Sequence, residues 1–406
     1  PYVSFSNCCI PFHISGDIEK SESLVLMTPP EFDKQYNIDA RVYNEVVAIN
    51  KEEKTVSVKN VQTGETYEEA YDVLFLAPGA NAVRPRSIAG IDSKHVFVMK
   101  TVPDVAALTA YTKANEVKDV AVVGGGYIGL EVAENLKMAG YNVSLIEAQD
   151  QIMAPLDYDM VQIINREIMK NGVDLILKDS VQAIGSDEVT LASGRTVKAQ
   201  AVVMAIGVSP ENALAKQAGL ELGVAGSIKV NHHYQTSNPH IYAVGDAIET
   251  TCFFTGQKTQ LTLAGPAQRQ ARAAADHVYG RTYLNTGVIG SSSVKMFGLN
   301  SANTGLNEKQ CQARGIAYDF AYIIPKDKVS IMPGAENLFF KLIFAVPSGK
   351  ILGAQAVGRG NVDKRIDVIA TAIMLNANLE DLKELELTYS PHFSTAKDVV
   401  NHAVLV

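Results

Sequence analysis

The stretch that decides the fold is "KDVAVVGGGYIGLEVAENLKMAGYNVSLIEAQD", residues 118–150. Its first apolar run, Val120–Val123, has the composition of a strand buried on both faces of a parallel sheet. It runs into Gly124-Gly125-Gly126-Tyr127-Ile128-Gly129. A helical pattern follows to Lys137 and stops at Gly140, which has the character of a C-cap. A second strand, Asn142–Ile146, ends at Glu147. Strand, tight turn, helix and strand in this order predict a βαβ unit and an α/β fold.

Each part suits the binding of a dinucleotide. Gly124 permits the tight turn, Gly126 lets a pyrophosphate approach the backbone, and Gly129 lets the helix pack closely against the strand. The helix N-terminus attracts phosphates. Tyr127 and Ile128 open that helix and belong to the same contact surface. Glu147 stands where an acid holds the adenosine ribose hydroxyls and repels a 2′-phosphate, so NADH is expected over NADPH. A glycine-rich turn without a ligand is the competing reading. Glycines, flanking strand, helix and acidic strand end together weigh against it.

Outward from this unit, two segments echo each other. "YDVLFLAPGA" (71–80) and "AQAVVMAIGVSPE" (199–211) are apolar strands ending in Ala-x-Gly, at Ala77 and Gly79 in the first and at Gly207 in the second. Each follows charged, hairpin-like sequence. The repetition predicts two related nucleotide-binding units. A third strand, Ile241–Val244 within "TSNPHIYAVGDAIE", delivers Gly245 and Asp246 to its carboxyl end, where ligands of open α/β sheets gather. A helix N-cap is the plainer reading of Asp246.

Composition excludes several classes. A formal net charge of −8 does not suit a phosphate-backbone partner, so no nucleic acid is expected. No apolar run reaches membrane-spanning length. The four cysteines, Cys8, Cys9, Cys252 and Cys311, form neither a secreted disulfide framework nor zinc-ligand spacing. No metal is expected, and a reducing cytoplasm is the expected location. Cys8 and Cys9 are neighbours whose α-carbons lie about 3.8 Å apart. A relaxed disulfide spans roughly 4.4–6.8 Å, so a bridge between them is set aside. Burial is the plain reading of any single cysteine.

With these segments in hand, the chain resembles the flavin-dependent pyridine nucleotide-disulfide oxidoreductases. It is most similar to their single-cysteine branch, which holds coenzyme A-disulfide reductase, NADH oxidase, NADH peroxidase and NAD(P)H persulfide reductase. The resemblance rests on Ser4-Phe5-Ser6-Asn7-Cys8, the loop at 124–129, Tyr242-Ala243-Val244-Gly245-Asp246 and Tyr389-Ser390-Pro391. It implies FAD as a second cofactor, with Asp246 on the ribityl chain, Ala264 near the flavin pyrimidine and Tyr127 gating the nicotinamide. It also implies that Cys8 is the redox thiol. Relatives with an internal redox pair use Cys-x-x-x-x-Cys, and the second position here is His13, so Cys8 works alone. Cys9, Cys252 and Cys311 keep the burial reading.

The branch members that reduce coenzyme A disulfide or persulfides carry Asn before the cysteine, as Asn7 does here; Ser4 and Asn7 are the implied substrate contacts. Tyr389 and Lys397 match the family's Tyr-x-Pro-x-x-Ser-x-x-Lys and imply a catalytic tyrosine and a coenzyme A phosphate ligand, supplied across a homodimer. For Lys397, a solvated lysine is the plain alternative. Two positions depart from the pattern. A second tyrosine before Pro333-Gly334 is replaced by Ile331-Met332, and a substrate lysine aligns with Tyr36. A persulfide or polysulfide therefore stands beside coenzyme A disulfide as the expected small-molecule substrate. The alternatives are an NADH oxidase or peroxidase working through a cysteine sulfenic acid, and a non-catalytic nucleotide-binding module.

The expected architecture is α/β, with two Rossmann-like nucleotide-binding domains (glutathione reductase-like) and an α+β dimerisation domain. Residues 1–100 and 223–288 are assigned to the FAD domain, 101–222 to the NAD domain and 289–406 to dimerisation. The family's opening strand and FAD-pyrophosphate loop would precede Pro1, so the chain is expected to be a fragment. A helix is predicted within 263–280, beginning at Pro266.

Overall fold

The structure is a computed structural model that describes residues 2–283 and 285–406. The chain forms two compact units. The first holds the residues up to Ile10 together with Ile18–Val83 and Gly207–Val288. The second holds Pro11–Asp17, Arg84–Ile206 and Ile289–Val406.

In the first unit, Leu74–Leu76 and Ile241–Ala243 pair in parallel, Phe75 opposite Tyr242. Alternation along the strands sends Leu76, Ile241 and Ala243 into a core with Ile49, Val56, Val58, Ile228 and Val230. The Phe75 and Tyr242 rings stack on each other, 5.1 Å between centroids. The Tyr242 hydroxyl meets His277 Nδ1 at 2.8 Å, which ties the helix Ala264–Val278 to the sheet. That helix begins two residues before Pro266, which still falls in the first turn, where a missing N–H costs nothing. The strand predicted to run to Val244 stops at Ala243, because Val244 caps a 3₁₀ turn, Gly245–Ala247. The charged hairpin sequence forms an antiparallel meander of Asn44–Asn50, Thr55–Asn60 and Thr66–Ala70. Asn50 and Asn60 make its turns, each Oδ1 accepting two backbone N–H groups from the residues that follow.

The second unit carries a five-stranded parallel sheet in the order Asp174–Leu177, Asn142–Glu147, Asp119–Val123, Ala201–Met204, Val96–Val98. Val120–Val123 is buried throughout, as an apolar run without alternation requires. The helix Tyr127–Met138 crosses from Asp119–Val123 to Asn142–Glu147. Its C-cap is Ala139, followed by Gly140 at φ +94°. The second hairpin segment forms its own meander, Val181–Ile184, Glu188–Leu191 and Thr196–Lys198. The echo between 71–80 and 199–211 therefore extends to what precedes each strand. It also extends to the turn glycines, Gly79 at φ +75° and Gly207 at φ +116°.

The C-terminal part of this unit is an antiparallel sheet in the order Ser292–Met296, Leu299–Gly305, Ile351–Gly358, Phe339–Ala345, Tyr318–Ile323. Ile351–Gly358 is buried at every position. The helix Val362–Met374 covers the sheet through Ile366, Ile369 and Ile373.

Candidate functional site

The glycine loop is built as its spacing predicts, with one refinement. Gly124 lies at φ +109°, and a Cβ there would stand 2.4 Å from the Ala205 carbonyl oxygen. Gly126 is the N-cap of Tyr127–Met138 and is exposed, with nothing within 4 Å of an added Cβ, so the loop's open side faces solvent there. A Cβ on Gly129 would be 1.9 Å from the Gly124 carbonyl oxygen. Gly129 thus seats the helix on the turn itself rather than on the strand. Glu147 stands at its strand end and reaches the loop: Gly125 N donates to Oε2 at 2.7 Å and Gln149 N to Oε1 at 2.8 Å. Ile128 is exposed beside it. These residues fit a pyridine nucleotide, with an open backbone edge, a helix N-terminus and an acid within reach of the loop.

Two residues of this region were not singled out from sequence. Gly125 is needed because a Cβ would meet Ile152 Cγ2 at 2.4 Å, and its only sequence signal was a third glycine in the run. Glu131, one turn beyond Tyr127, has its carboxyl pushed up to about 7 by burial and by the charge of Glu134. Glu134 accepts from Phe297 N at 2.6 Å, and the Tyr127 hydroxyl is bonded to Ser292 and, at 3.1 Å, to Asn303. The nucleotide-loop helix is therefore fastened near both ends to the Ser292–Gly305 hairpin. Burial raises the Tyr127 phenol, and the Ser292 bond opposes that rise.

Glu131 gives a pH prediction. Its folded pKa lies above its unfolded value, so between pH 4.5 and about 7 the folded chain keeps a proton that the unfolded chain has lost. Stability therefore falls as pH rises through that window. Glu131→Gln is expected to stabilise the ligand-free chain by on the order of 1–3 kcal/mol at pH 8 and by nothing near pH 4.5. Denaturant unfolding at the two pH values checks this, and an equal effect at both would contradict it.

In the first unit, Ser4–Phe5 pairs antiparallel with Val25–Met27, and Ser6 N donates to Leu24 O at 2.8 Å. The chain then turns through a 3₁₀ segment, Asn7–Cys9. Cys8 and Asn7 are exposed, Ser4 and Cys9 half-buried, and no disulfide links Cys8 to Cys9. Cys252 and Cys311 are buried, and burial, with the charge of Asp157, pushes the Cys311 thiol up to about 11, the profile of an inert cysteine.

Also in this unit, Gly245 lies at φ +80° and its N–H donates to the buried Gln270 at 2.8 Å. Asp246 follows in the same turn, half-buried, and Ala264 is exposed at the start of its helix. Ala77 borders an apolar cavity of about 250 Å³ with Val46, Leu74, Leu214 and Ile228. Gly79 accepts from Glu211 N, and Gly207 from Val83 N, each at 3.0 Å. Ala77, Gly79 and Gly245 thus mark strand ends on one side of a small sheet with an apolar recess, a setting that fits part of a flavin nucleotide. Tyr389 and Lys397 are exposed in the second unit. The departures are exposed too, Tyr36 in the first unit and Ile331 in the second.

One cluster had no sequence signal. Carboxylate oxygens of Asp157, Asp159 and Glu308 lie within 4.8 Å of one another, and the Lys341 ammonium stands among them. Its distances to the three are 3.2, 3.0 and 2.5 Å.

Comparison with known proteins completes the reading. The family profile described as pyridine nucleotide-disulphide oxidoreductase matches residues 7–271, and that of the family's dimerisation domain matches 291–399. The chain belongs to the pyridine nucleotide-disulphide oxidoreductases. This oxidoreductase is 34% identical to the coenzyme A disulfide reductase of Staphylococcus epidermidis over 400 residues, 98% of this chain and 90% of the relative. Its fold matches the reduced CoADR-RHD of Bacillus anthracis with a TM-score of 0.98 at 46% identity, covering 100% of this chain and 73% of the other. The NAD-dependent persulfide reductase from A. fulgidus matches at 0.96 and 31% identity, covering 100% and 76%. The expected α/β fold with a dimerisation domain is borne out, and FAD and NAD(H) are the family's cofactors. Among the described residues no helix is long and apolar enough to cross a membrane.

Proposed function

We propose that this oxidoreductase takes electrons from NADH and, through FAD, delivers them to Cys8, which reduces coenzyme A disulfide, a persulfide or a polysulfide. The observation that carries the reading is Cys8 itself, an exposed thiol on a short turn, preceded by Asn7 and followed at the fifth position by His13 instead of a second cysteine. The identity to coenzyme A disulfide reductase along 98% of the chain supports it. Residues 1–100 and 223–288 then serve FAD, with Asp246 and Ala264 against it, 101–222 serve NADH, and 289–406 pair two chains as a homodimer in which Tyr389 and Lys397 complete the neighbouring site. A reducing cytoplasm suits an exposed catalytic thiol.

The chemistry supplied by the flavin when bound is two-electron transfer between nucleotide and thiol. The chain's share is positional. The loop at 124–129 and the helix N-terminus hold the nucleotide phosphates, and Glu147 holds the ribose. Tyr127 stands where the nicotinamide enters. The Cys8 thiolate attacks one sulfur of the substrate disulfide, a mixed disulfide forms, and the other sulfur leaves as a thiolate. Ser4, Asn7 and Lys397 hold the substrate for that attack.

The deciding experiment loads the intact, full-length protein with FAD, adds NADH, and compares acceptors. Coenzyme A disulfide or polysulfide is expected to give the highest kcat/KM. Oxygen or peroxide as the best acceptor would make the protein an oxidase or peroxidase instead. Absence of NADH-driven flavin bleaching would leave a nucleotide-binding module.

Cofactor choice is a separate expectation. Glu147→Arg should narrow or invert the preference for NADH over NADPH, by roughly tenfold in the ratio of kcat/KM, the worth of one charged contact. Because Glu147 also accepts from Gly125 N, Glu147→Gln is the control that keeps an acceptor without the charge. Equal use of both nucleotides by the parent protein would remove the argument.

A further inference from the structure

We infer that Asn307, in the C-terminal part of the second unit, is a positioning residue for pyridine-nucleotide binding. It acts through the segment Gln149–Asp157. This rests on reading the 124–129 loop as the nucleotide site.

The segment leaves Glu147 and runs beneath the glycine loop. Met153 N donates to Gly125 O at 2.9 Å, and Ile152 lies against the Gly125 α-carbon. With Glu147 holding Gly125 N, both backbone groups of Gly125 are bonded from this side. The segment is irregular, yet Gln151, Ile152, Met153, Leu156 and Asp157 are buried. Irregular backbone is seldom buried, because its polar groups then need partners. Here Gln151 Nε2 satisfies Leu156 O at 2.9 Å. Asn307 Nδ2 donates to Ala154 O at 3.0 Å and Pro155 O at 3.2 Å, at the point where the segment comes to the surface: Ala154 is exposed and Pro155 half-buried, so this bond pins the segment's open turn between its buried halves. Met153 holds a left-handed φ of +49°, a conformation that a non-glycine residue keeps only when its surroundings enforce it.

Asn307 is itself fixed. It is 3% exposed and caps the helix Glu308–Ala313, its Oδ1 accepting from Gln310 N at 2.8 Å. The two ends of one amide thus do different work, the oxygen for the helix and the nitrogen for the segment. With the nitrogen gone, the carbonyls of Ala154 and Pro155 lose their shared donor, and the support under Gly125 loosens. The phosphate-facing N–H groups of the loop then have to be ordered by the nucleotide at its own cost.

The amide's division of labour supplies the test. Asn307→Asp and Asn307→Ser both retain a capping oxygen and both remove the amide nitrogen; the first adds a charge, and the second leaves a hydroxyl on a side chain one atom shorter, which cannot cap the helix and span to both carbonyls as the amide does. Using FAD-loaded protein, ADP-ribose binding is measured by calorimetry, NADH and acceptor kinetics by turnover, and exchange of the Met153 amide by hydrogen–deuterium exchange. For both variants, the Kd for ADP-ribose and the KM for NADH are expected to rise about tenfold, with faster exchange at Met153. The acceptor KM and kcat should stay within twofold. Folded variants that bind ADP-ribose within twofold of the parent would overturn the inference while sparing the nucleotide reading. So would variants in which kcat and thermal stability fall while both KM values rise together, since that is a structural role. A parent protein that binds no ADP-ribose would strike the nucleotide reading itself.

Discussion

Cys8→Ser is expected to leave flavin bleaching by NADH intact and to cut turnover with a disulfide acceptor by about a thousandfold or more, the scale seen when an attacking nucleophile is removed. The attacking species is a thiolate, and a serine hydroxyl does not ionise in the working pH range. Bleaching requires only the nucleotide and flavin sites, and the substitution exchanges one sulfur for oxygen without altering the residues assigned to them, so the two measurements separate the halves of the reaction. Cys9→Ala is the paired control. Cys9 is half-buried while Cys8 is exposed, so its loss should cost packing and leave most turnover in place. Mass spectrometry of protein trapped during turnover should find the substrate adduct on Cys8. Normal turnover by Cys8→Ser, or an adduct on Cys9, would end the proposed mechanism.

The second large effect concerns stability. Lys341 is 1% exposed, and its ammonium sits 4.4 Å from the Phe320 ring centroid while facing Asp157, Asp159 and Glu308. Burial would lower its pKa, and the bonds to Glu308 and Asp159 outweigh burial and hold it above its usual range. Asp157 behaves in the opposite sense: burial raises its carboxyl despite the pull of Lys341. The cluster is read as ion-paired because Asp159 and Glu308 keep 42% and 24% of their side-chain surface in solvent.

Lys341→Met is expected to destabilise by about 3–5 kcal/mol, the cost of stranding buried charge when one partner goes. Calorimetry should show the transition fall by roughly 4–10 °C at pH 7. The stranded carboxylates can take up protons, so the deficit should shrink toward pH 4. Adding Asp157→Asn and Glu308→Gln should recover most of the loss. A deficit under about 1 kcal/mol at pH 7 would show that solvent already screens the cluster.

What the sequence determined by itself is the set of features whose causes are local. Val120–Val123, Gly124, Gly126, Gly129 and Glu147 lie within one βαβ stretch, where strand length, helix period and glycine spacing are read from neighbours. The same holds for the antiparallel meander Asn44–Ala70, whose asparagine turns are made by residues two or three positions apart. The proposal for Cys8 likewise rests on the residues adjoining it and on the fifth position after it. The tertiary structure decided what depends on partners far along the chain. Gly125 is required by Ile152. Glu131 and Glu134 share buried space, and Glu134 is bonded to Phe297, 163 residues away. Asp157 is bonded to Gln355 across 198 residues, Lys341 to Asp159 across 182, and Asn307 to Ala154 across 153. Asp, Glu, Lys and Asn are ordinary surface residues in any sequence window. They become a buried charge cluster and a loop support only when the antiparallel sheet and the parallel sheet of one unit close on the same buried segment. No periodicity records that event, because the energy that selects these side chains arises from burial and pairing created by the fold.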